Sequence, residues 1–217
     1  MSVAVRWLPC GPRATMVELD DPEAPAALRA ALAADVAVRG AAIDVVPAAR
    51  TLLVTHEPGA TATVREAMER AVAGLGIAAR HGAPGESAAP LVEVPVVYDG
   101  EDLAEVASRV GRTVAEVVAM HAGAEYRVAF CGFAPGFAYL RGLDARLVLP
   151  RRATPRPRVP AGSVAIAAEY SAVYPGASPG GWHLLGTTRM AMWDASRADA
   201  PAVLVPGMRV RFVPEAR

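Results

Sequence analysis

Residues 130–182, FCGFAPGFAYLRGLDARLVLPRRATPRPRVPAGSVAIAAEYSAVYPGASPGGW, hold seven glycines and seven prolines among interleaved aromatics and arginines. That is about twice ordinary usage, yet the stretch has no repeat and no low complexity. Glycine opens positive φ and proline locks φ, so such a segment forms rigid turns rather than helices. The runs between the turns are β-prone: Arg127–Cys131 and Ser163–Ala167, then Trp182–Leu185, Met190–Trp193, Val203–Val205 and Arg209–Val213. Many short strands separated by Gly/Pro turns predict a closed or nearly closed β barrel.

Working outward towards the N-terminus, Leu91–Tyr98 alternates as a strand and two short helices follow it. The first covers Asp102–Val110 and stops at Gly111. The second opens with Thr113 and Glu116 at capping-box spacing and ends near Gly123. Residues 80–90 combine Gly, Pro and small polar residues and read as a linker. It separates a domain at 1–84 from one at 91–217.

Before the linker, strands and helices alternate. Val3–Leu8 and Ala14–Leu19 read as strands, and a helix is capped by Asp20 or Asp21 and opened by Pro22. Leu28, Leu32 and Val36 lie at helical spacing along it. Val45–Val46 and Thr51–Thr55 are strands around Pro47. Thr63 with Glu66 opens a second helix carrying Val64, Met68, Ala71 and Val72, ended by Gly74. This half is expected to be a small α/β domain with helices on one face of a sheet. The fold class is therefore α+β.

Composition narrows the function. The 217 residues carry 22 basic and 22 acidic side chains, and all 22 bases are arginine. A neutral chain lacks the charge excess of a protein that binds nucleic acid by neutralising phosphates. The hydrophobic fraction of 53% includes 47 alanines, so Val, Leu and Ile must form the core. No apolar run approaches the roughly 18 residues of a membrane span, and residues 1–20 lack a signal-peptide pattern. Cys10 and Cys131 make neither a disulfide framework nor a metal cluster. A cytoplasmic location and no metal site are expected. Asp102–Ala122 has the outline of a DNA-binding helix–turn–helix, but its second helix offers only Glu116 and His121 where base-reading side chains belong. Two packed helices bracing a sheet are the expectation.

Several motifs stand in order: Gly132-Phe-Ala-Pro-Gly-Phe-Ala-Tyr-Leu140 with Gly142-Leu-Asp144, Pro150-Arg-Arg152, Pro155-Arg156 and Val159-Pro-Ala-Gly-Ser-Val164. Val173-Tyr-Pro175 and Ser178-Pro-Gly-Gly-Trp182 follow. Together they resemble the 5-oxoprolinase B-subunit family, also called KipI-like or allophanate hydrolase subunit 1, the carboxyltransferase domain C/D. Two places depart from it. Gly186-Thr187-Thr188 stands where Gly-Arg-Thr is common, and Tyr170-Ser171-Ala172 where Gln-Thr-Gly is frequent.

The resemblance implies an α/β N-terminal domain and a cyclophilin-like β-barrel C-terminal domain. It implies a hydrolase acting on a cyclic amide, active only in complex: one subunit of an ATP-dependent 5-oxoprolinase that opens 5-oxo-L-proline to L-glutamate. The implied partners are the C (KipA-like) and A subunits, and ATP is bound by the complex at a site without a signature in this chain. The same resemblance admits a KipI-like inhibitor of a histidine kinase, or a carboxyltransferase subunit of a urea carboxylase or allophanate hydrolase system.

A site for a small anionic amide needs cations or amide dipoles and a shaped apolar wall. The candidate ligand-binding residues fall in three loops. The first supplies Phe133, Pro135, Gly136, Phe137 and Tyr139. The second supplies Arg156, Gly162 and Ser163, and the third Tyr174, Ser178, Gly180, Gly181 and Trp182. Arg156 leads a cluster with Arg151, Arg152 and Arg158, because guanidinium forks suit carboxylates. Gly180 and Gly181 are positioned to expose backbone N–H groups. Ser163 has no nucleophile elbow around it. His121, on an apolar helix, and Cys131 read as structural, Glu169 is a possible base in a loop that departs from the family pattern, His183 is not taken as a base, and no catalytic residue is identified.

Overall fold

A computed structural model of the chain describes residues 4–78 and 89–216. The chain divides into two compact units, Met1–Ala88 and Ala89–Arg217, each taken by itself. All but the last two residues of the expected linker 80–90, and the expected limit at 84, lie outside the described residues.

The first unit is a four-stranded antiparallel sheet in the order β1-β2-β4-β3: β1 Val5–Leu8, β2 Ala14–Leu19, β3 Ala42–Pro47 and β4 Thr51–His56. Along β2 and β4, buried and half-buried residues alternate strictly, the period of a sheet with one face on a core. That face contributes Val17, Leu19, Leu52 and Val54. Helices α1 (Ala24–Ala34), α2 (Val36–Ala41) and α3 (Thr61–Ala78) contribute Leu28, Leu32, Val38, Val64 and Met68.

Three helix boundaries differ from the sequence expectation. α1 begins at Ala24 with Pro25 in its first turn, and no side chain caps it. It stops at Ala34, because Asp35 takes an extended conformation and its carboxylate accepts the N–H groups of Ala37 and Val38, at 2.8 and 3.2 Å. A capped short helix thus replaces the continuation, so Val36 is 74% exposed and Val38 enters the core in its place. α3 starts two residues before Thr63 and runs through Gly74, where burial of Leu75 outweighs the glycine's helix penalty of about 1 kcal/mol.

The second unit is a barrel. Its strands are β5 (Leu91–Val96), β6 (Tyr126–Cys131), β7 (Ala138–Arg141), β9 (Ser163–Ala167), β10 (Tyr170–Val173), β12 (His183–Thr187) and β13 (Arg209–Pro214). Their order is β12-β9-β10-β7-β6-β13-β5, and β13 runs parallel to β5. Reciprocal hydrogen bonds between Val97 and Thr187, at 2.9 and 2.8 Å, join the two outer strands and nearly close the sheet. Gly186 permits this, since a Cβ there would stand 2.4 Å from the Val97 carbonyl. A separate ribbon pairs β8 (Arg156–Val159) with β11 (Ser178–Gly180). The barrel was legible; β7, β8, β10 and β11 were not. Conversely, Met190–Trp193 and Val203–Val205 are not strands: the Val203 N–H donates to the Met192 carbonyl at 3.0 Å, beside an isolated bridge from Trp193 to Ala202.

The helix pair α4 (Leu103–Arg109) and α5 (Val114–Gly123) packs on strand residues through Leu103, Val106, Ala107 and Val117 against Ile166 and Leu185. Its capping box forms as expected. Thr113 Oγ1 accepts the Glu116 N–H at 3.2 Å, and Glu116 Oε2 accepts the Thr113 N–H at 2.7 Å. The helices brace the sheet instead of presenting a reading face.

Candidate functional site

At one end of the barrel the β6–β7 loop, the segment before β8 and the β10–β12 region enclose a cavity of about 240 Å³. Phe133, Phe137, Tyr139, Tyr174 and Trp182 form most of its wall, with Pro155, Pro179, Gly180 and Gly181. Phe137 is the hub of the wall. Its ring meets Tyr174 at 5.3 Å and Trp182 at 5.6 Å, both edge to face, while Tyr139 meets Trp182 at the same 5.6 Å. Pairs of this geometry contribute about 0.5–1.5 kcal/mol each beyond their buried area.

Two backbone features shape the mouth. Phe133 has φ 72° and is 62% exposed. A bulky side chain held in the left-handed region at the edge of a cavity costs of order 1–3 kcal/mol, and strain of this kind gathers at ligand sites. At Gly180 a Cβ would stand 2.3 Å from the Tyr174 hydroxyl, so only glycine lets β11 pass beside that ring. Burial raises the pKa of Tyr174, against the opposing charge of Arg151 and a hydrogen bond from the Trp182 N–H. Its hydroxyl therefore stays protonated near neutral pH and remains a donor.

The cation in this cavity is Arg151. Its guanidinium has no hydrogen-bonded or ionic partner among the described residues. The arginine cluster of the sequence is thus divided by the fold. Arg156 is not in the cavity wall: its guanidinium grips Asp102 with Nη1–Oδ2 at 2.9 Å and Nη2–Oδ1 at 2.7 Å, and reaches Glu101 at 3.2 Å. Arg152 binds Asp102 at 2.6 Å and Glu105 at 3.3 Å. Arg158 is exposed on β8, outside the lining.

Of the other candidate residues, Gly136 (φ 81°) lets the loop pack on Met192 and Trp193, and Pro135 is exposed at its tip. Gly162 (φ 79°) faces the Thr188 carbonyl, where a Cβ would stand at 2.3 Å. Ser163 is buried, with its carbonyl accepting the Tyr174 N–H at 2.9 Å. Ser178 Oγ is buried without a partner. These residues shape or support the loops and do not line the cavity, whereas Phe133, Phe137, Tyr139, Tyr174, Gly180, Gly181 and Trp182 do. Sequence reasoning passed over Arg151, Pro155, Pro179 and Asp102. Arg151 lay inside the cluster that drew notice to Arg156, and Asp102 had no local signal beyond a helix start.

The histidines lie elsewhere. His183 is buried and its Nε2 lies 2.9 Å from the Pro150 carbonyl, to which it donates. His121 is fully buried between Tyr98 (2.7 Å to Nδ1) and Ser171 (2.9 Å to Nε2). Ser171 Oγ in turn donates to the Ala165 carbonyl at 3.3 Å. That chain orders the protons as Tyr98 O–H to Nδ1 and Nε2–H to Ser171, and burial lowers the His121 pKa to about 3. A neutral imidazole sealed in the core is a structural strut, not a base. Glu169 is exposed on the β9–β10 turn, and Cys131 Sγ lies 3.6 Å from the Leu204 carbonyl. Among the described residues no group of three His, Cys, Asp or Glu is placed to hold a metal ion, and no helix is long and apolar enough to cross a membrane.

Among known proteins, the family model described as carboxyltransferase domain, subdomain C and D, matches residues 5–204. The B subunit of 5-oxoprolinase from Escherichia coli O157:H7 is 50% identical over 127 residues, which are 57% of this chain and 58% of that protein. The chain thus spans less than two thirds of the curated relatives it matches. A crystal structure of TTHA0988 is 38% identical with a TM-score of 0.71, covering 99% of this chain and 40% of the other. The Kluyveromyces lactis urea carboxylase, 17% identical with a TM-score of 0.71, covers 98% of this chain and 22% of its own; it shares the fold.

Proposed function

The chain belongs to the carboxyltransferase domain, subdomain C and D, family, and from that premise we propose that it is one subunit of an ATP-dependent 5-oxoprolinase. In this reading the complex opens 5-oxo-L-proline to L-glutamate, and the aromatic cavity binds the lactam. What carries the reading is the 50% identity to a protein named as the B subunit of 5-oxoprolinase.

The cavity's chemistry suits such a ligand. A five-membered lactam with one carboxylate presents two flat apolar faces and a single negative charge. Phe137, Tyr139, Tyr174 and Trp182 pack against the faces and exclude water. Arg151, exposed at the edge of the cavity, receives the carboxylate through a charge-assisted pair. The Tyr174 hydroxyl supplies a neutral donor.

ATP does not fit these residues. A triphosphate needs several cations or a glycine-rich phosphate cradle. The cavity lining presents one arginine, while Arg152 and Arg156 are paired with Asp102, Glu105 and Glu101. The proposal therefore places the nucleotide on a partner subunit, of the C or A type.

The test is co-expression with the candidate C and A subunits, followed by assay of glutamate formed from 5-oxoproline with and without ATP. Glutamate is expected from the complex with ATP and not from the chain alone. A complex that assembles and yields no glutamate overturns the reading.

A further inference from the structure

Asp102 lies at the N-terminus of α4, is 3% exposed, and is not part of the cavity lining. Its carboxylate nevertheless collects three chain segments that build the cavity. Arg152 Nη1 binds it at 2.6 Å, and Arg152 lies between the lining residues Arg151 and Pro155. Arg156 binds it through both Nη atoms, and Arg156 is the ladder partner of Gly180, another lining residue. The Leu184 N–H donates to Oδ2 at 2.8 Å, two residues beyond Trp182. The Arg152 N–H also donates to the Gly181 carbonyl at 2.8 Å, tying the two walls together directly.

We propose that Asp102 is the positioning residue of this cavity: one buried carboxylate that sets where Arg151 stands relative to the Trp182 wall. No hydrogen bond or ion pair fixes the Arg151 side chain among the described residues, so its place depends on its backbone. That backbone is held from the next residue by Arg152's grip on Asp102. By occupying Arg152 and Arg156, the same carboxylate leaves the cavity lining with a single guanidinium, which suits a monoanion.

The kinetic arm of the test rests on the 5-oxoprolinase reading; the spectroscopic arm does not. In the assembled complex, Asp102→Asn is expected to raise KM for 5-oxoproline at least about tenfold, because small misplacements of a binding group are costly, with a smaller fall in kcat. In a Trp7→Phe/Trp193→Phe background Trp182 is the sole tryptophan. There, Asp102→Asn is expected to shift its emission to the red and to increase acrylamide quenching, at a temperature where circular dichroism shows a folded chain. If Asp102→Asn does not fold, Arg152→Gln, which keeps the Arg156 pair, is read in its place and moves both quantities the same way by less. Unchanged KM together with unchanged Trp182 emission and quenching in a folded variant overturns the proposal. If the wild-type complex makes no glutamate, the oxoprolinase reading fails and Trp182 alone decides the role of Asp102.

Discussion

Among the described residues, Phe133 and Ala168 are the two non-glycine residues with positive φ, at 72° and 49°, and their settings differ. Ala168 is exposed on the tight β9–β10 turn, with no ligand-facing role. Ala168→Gly is expected to raise stability by up to about 1 kcal/mol, since relief of left-handed strain exceeds the extra chain entropy of glycine; thermal or urea denaturation checks it. Phe133 stands at the cavity mouth. Phe133→Gly is expected to leave the melting temperature level or higher while weakening ligand binding, and a variant that loses stability and keeps affinity contradicts a binding role. Arg151→Ala removes the carboxylate's partner. A charge-assisted bond contributes about 1.5–3 kcal/mol, so KM for 5-oxoproline should rise roughly tenfold or more with stability unchanged. Arg156→Ala is expected to destabilise the fold by about 1.5–3 kcal/mol, because Asp102 loses both bonds from Arg156 while keeping those from Arg152 and the Leu184 N–H; thermal denaturation checks it.

At the scale of elements, the sequence was legible wherever a signal is local. The Thr113–Glu116 box marks the start of α5 because its hydrogen bonds span three residues. Thr113→Ala should cost about 1 kcal/mol, seen as a lower melting temperature, with ligand affinity unchanged. The α1 boundary was misread because Asp35 has two uses: a tolerable helix residue, or a cap that starts a new helix. Packing of Val38 decides for the second. Strands β8 and β11 were missed because Pro157, Pro179 and Gly180 read as turn residues. They form a two-stranded ribbon outside the main sheet, where proline's missing N–H is tolerated.

Across the whole molecule, the buried polar groups set the response to pH. His121 is held neutral in the core, with its pKa lowered by burial from 6.5 to about 3. The unfolded chain takes up that proton as pH falls below about 6.5 and the folded chain does not. Unfolding then binds a proton, and stability is lost on acidification by up to about 1.4 kcal/mol per pH unit. Asp102 acts lower down. Burial alone would raise its pKa, but the bonds from Arg156 and the Leu184 N–H and the charges of Arg156 and Arg152 bring it below the ordinary value, so its contribution is present above the ordinary carboxylate range and lost as pH falls through it. The window from about pH 4.5 to 6.5 lies above the ordinary carboxylate range and below the ordinary histidine value. Urea denaturation across that window is expected to show falling stability in the wild type, and a flatter profile in His121→Phe.

The sequence by itself determined the family, the barrel with its helix pair, and the concentration of aromatics in one Gly/Pro-rich segment. These are written in motifs, spacing and turn chemistry that act over a few residues. Only the tertiary structure decided which arginine of the cluster faces the cavity. A guanidinium is free or spent according to the carboxylates that reach it, and Asp102 and Glu105 lie about fifty positions from Arg152 and Arg156. Arg151 is left facing the cavity because its neighbours are taken, and no local pattern records a partner that distant.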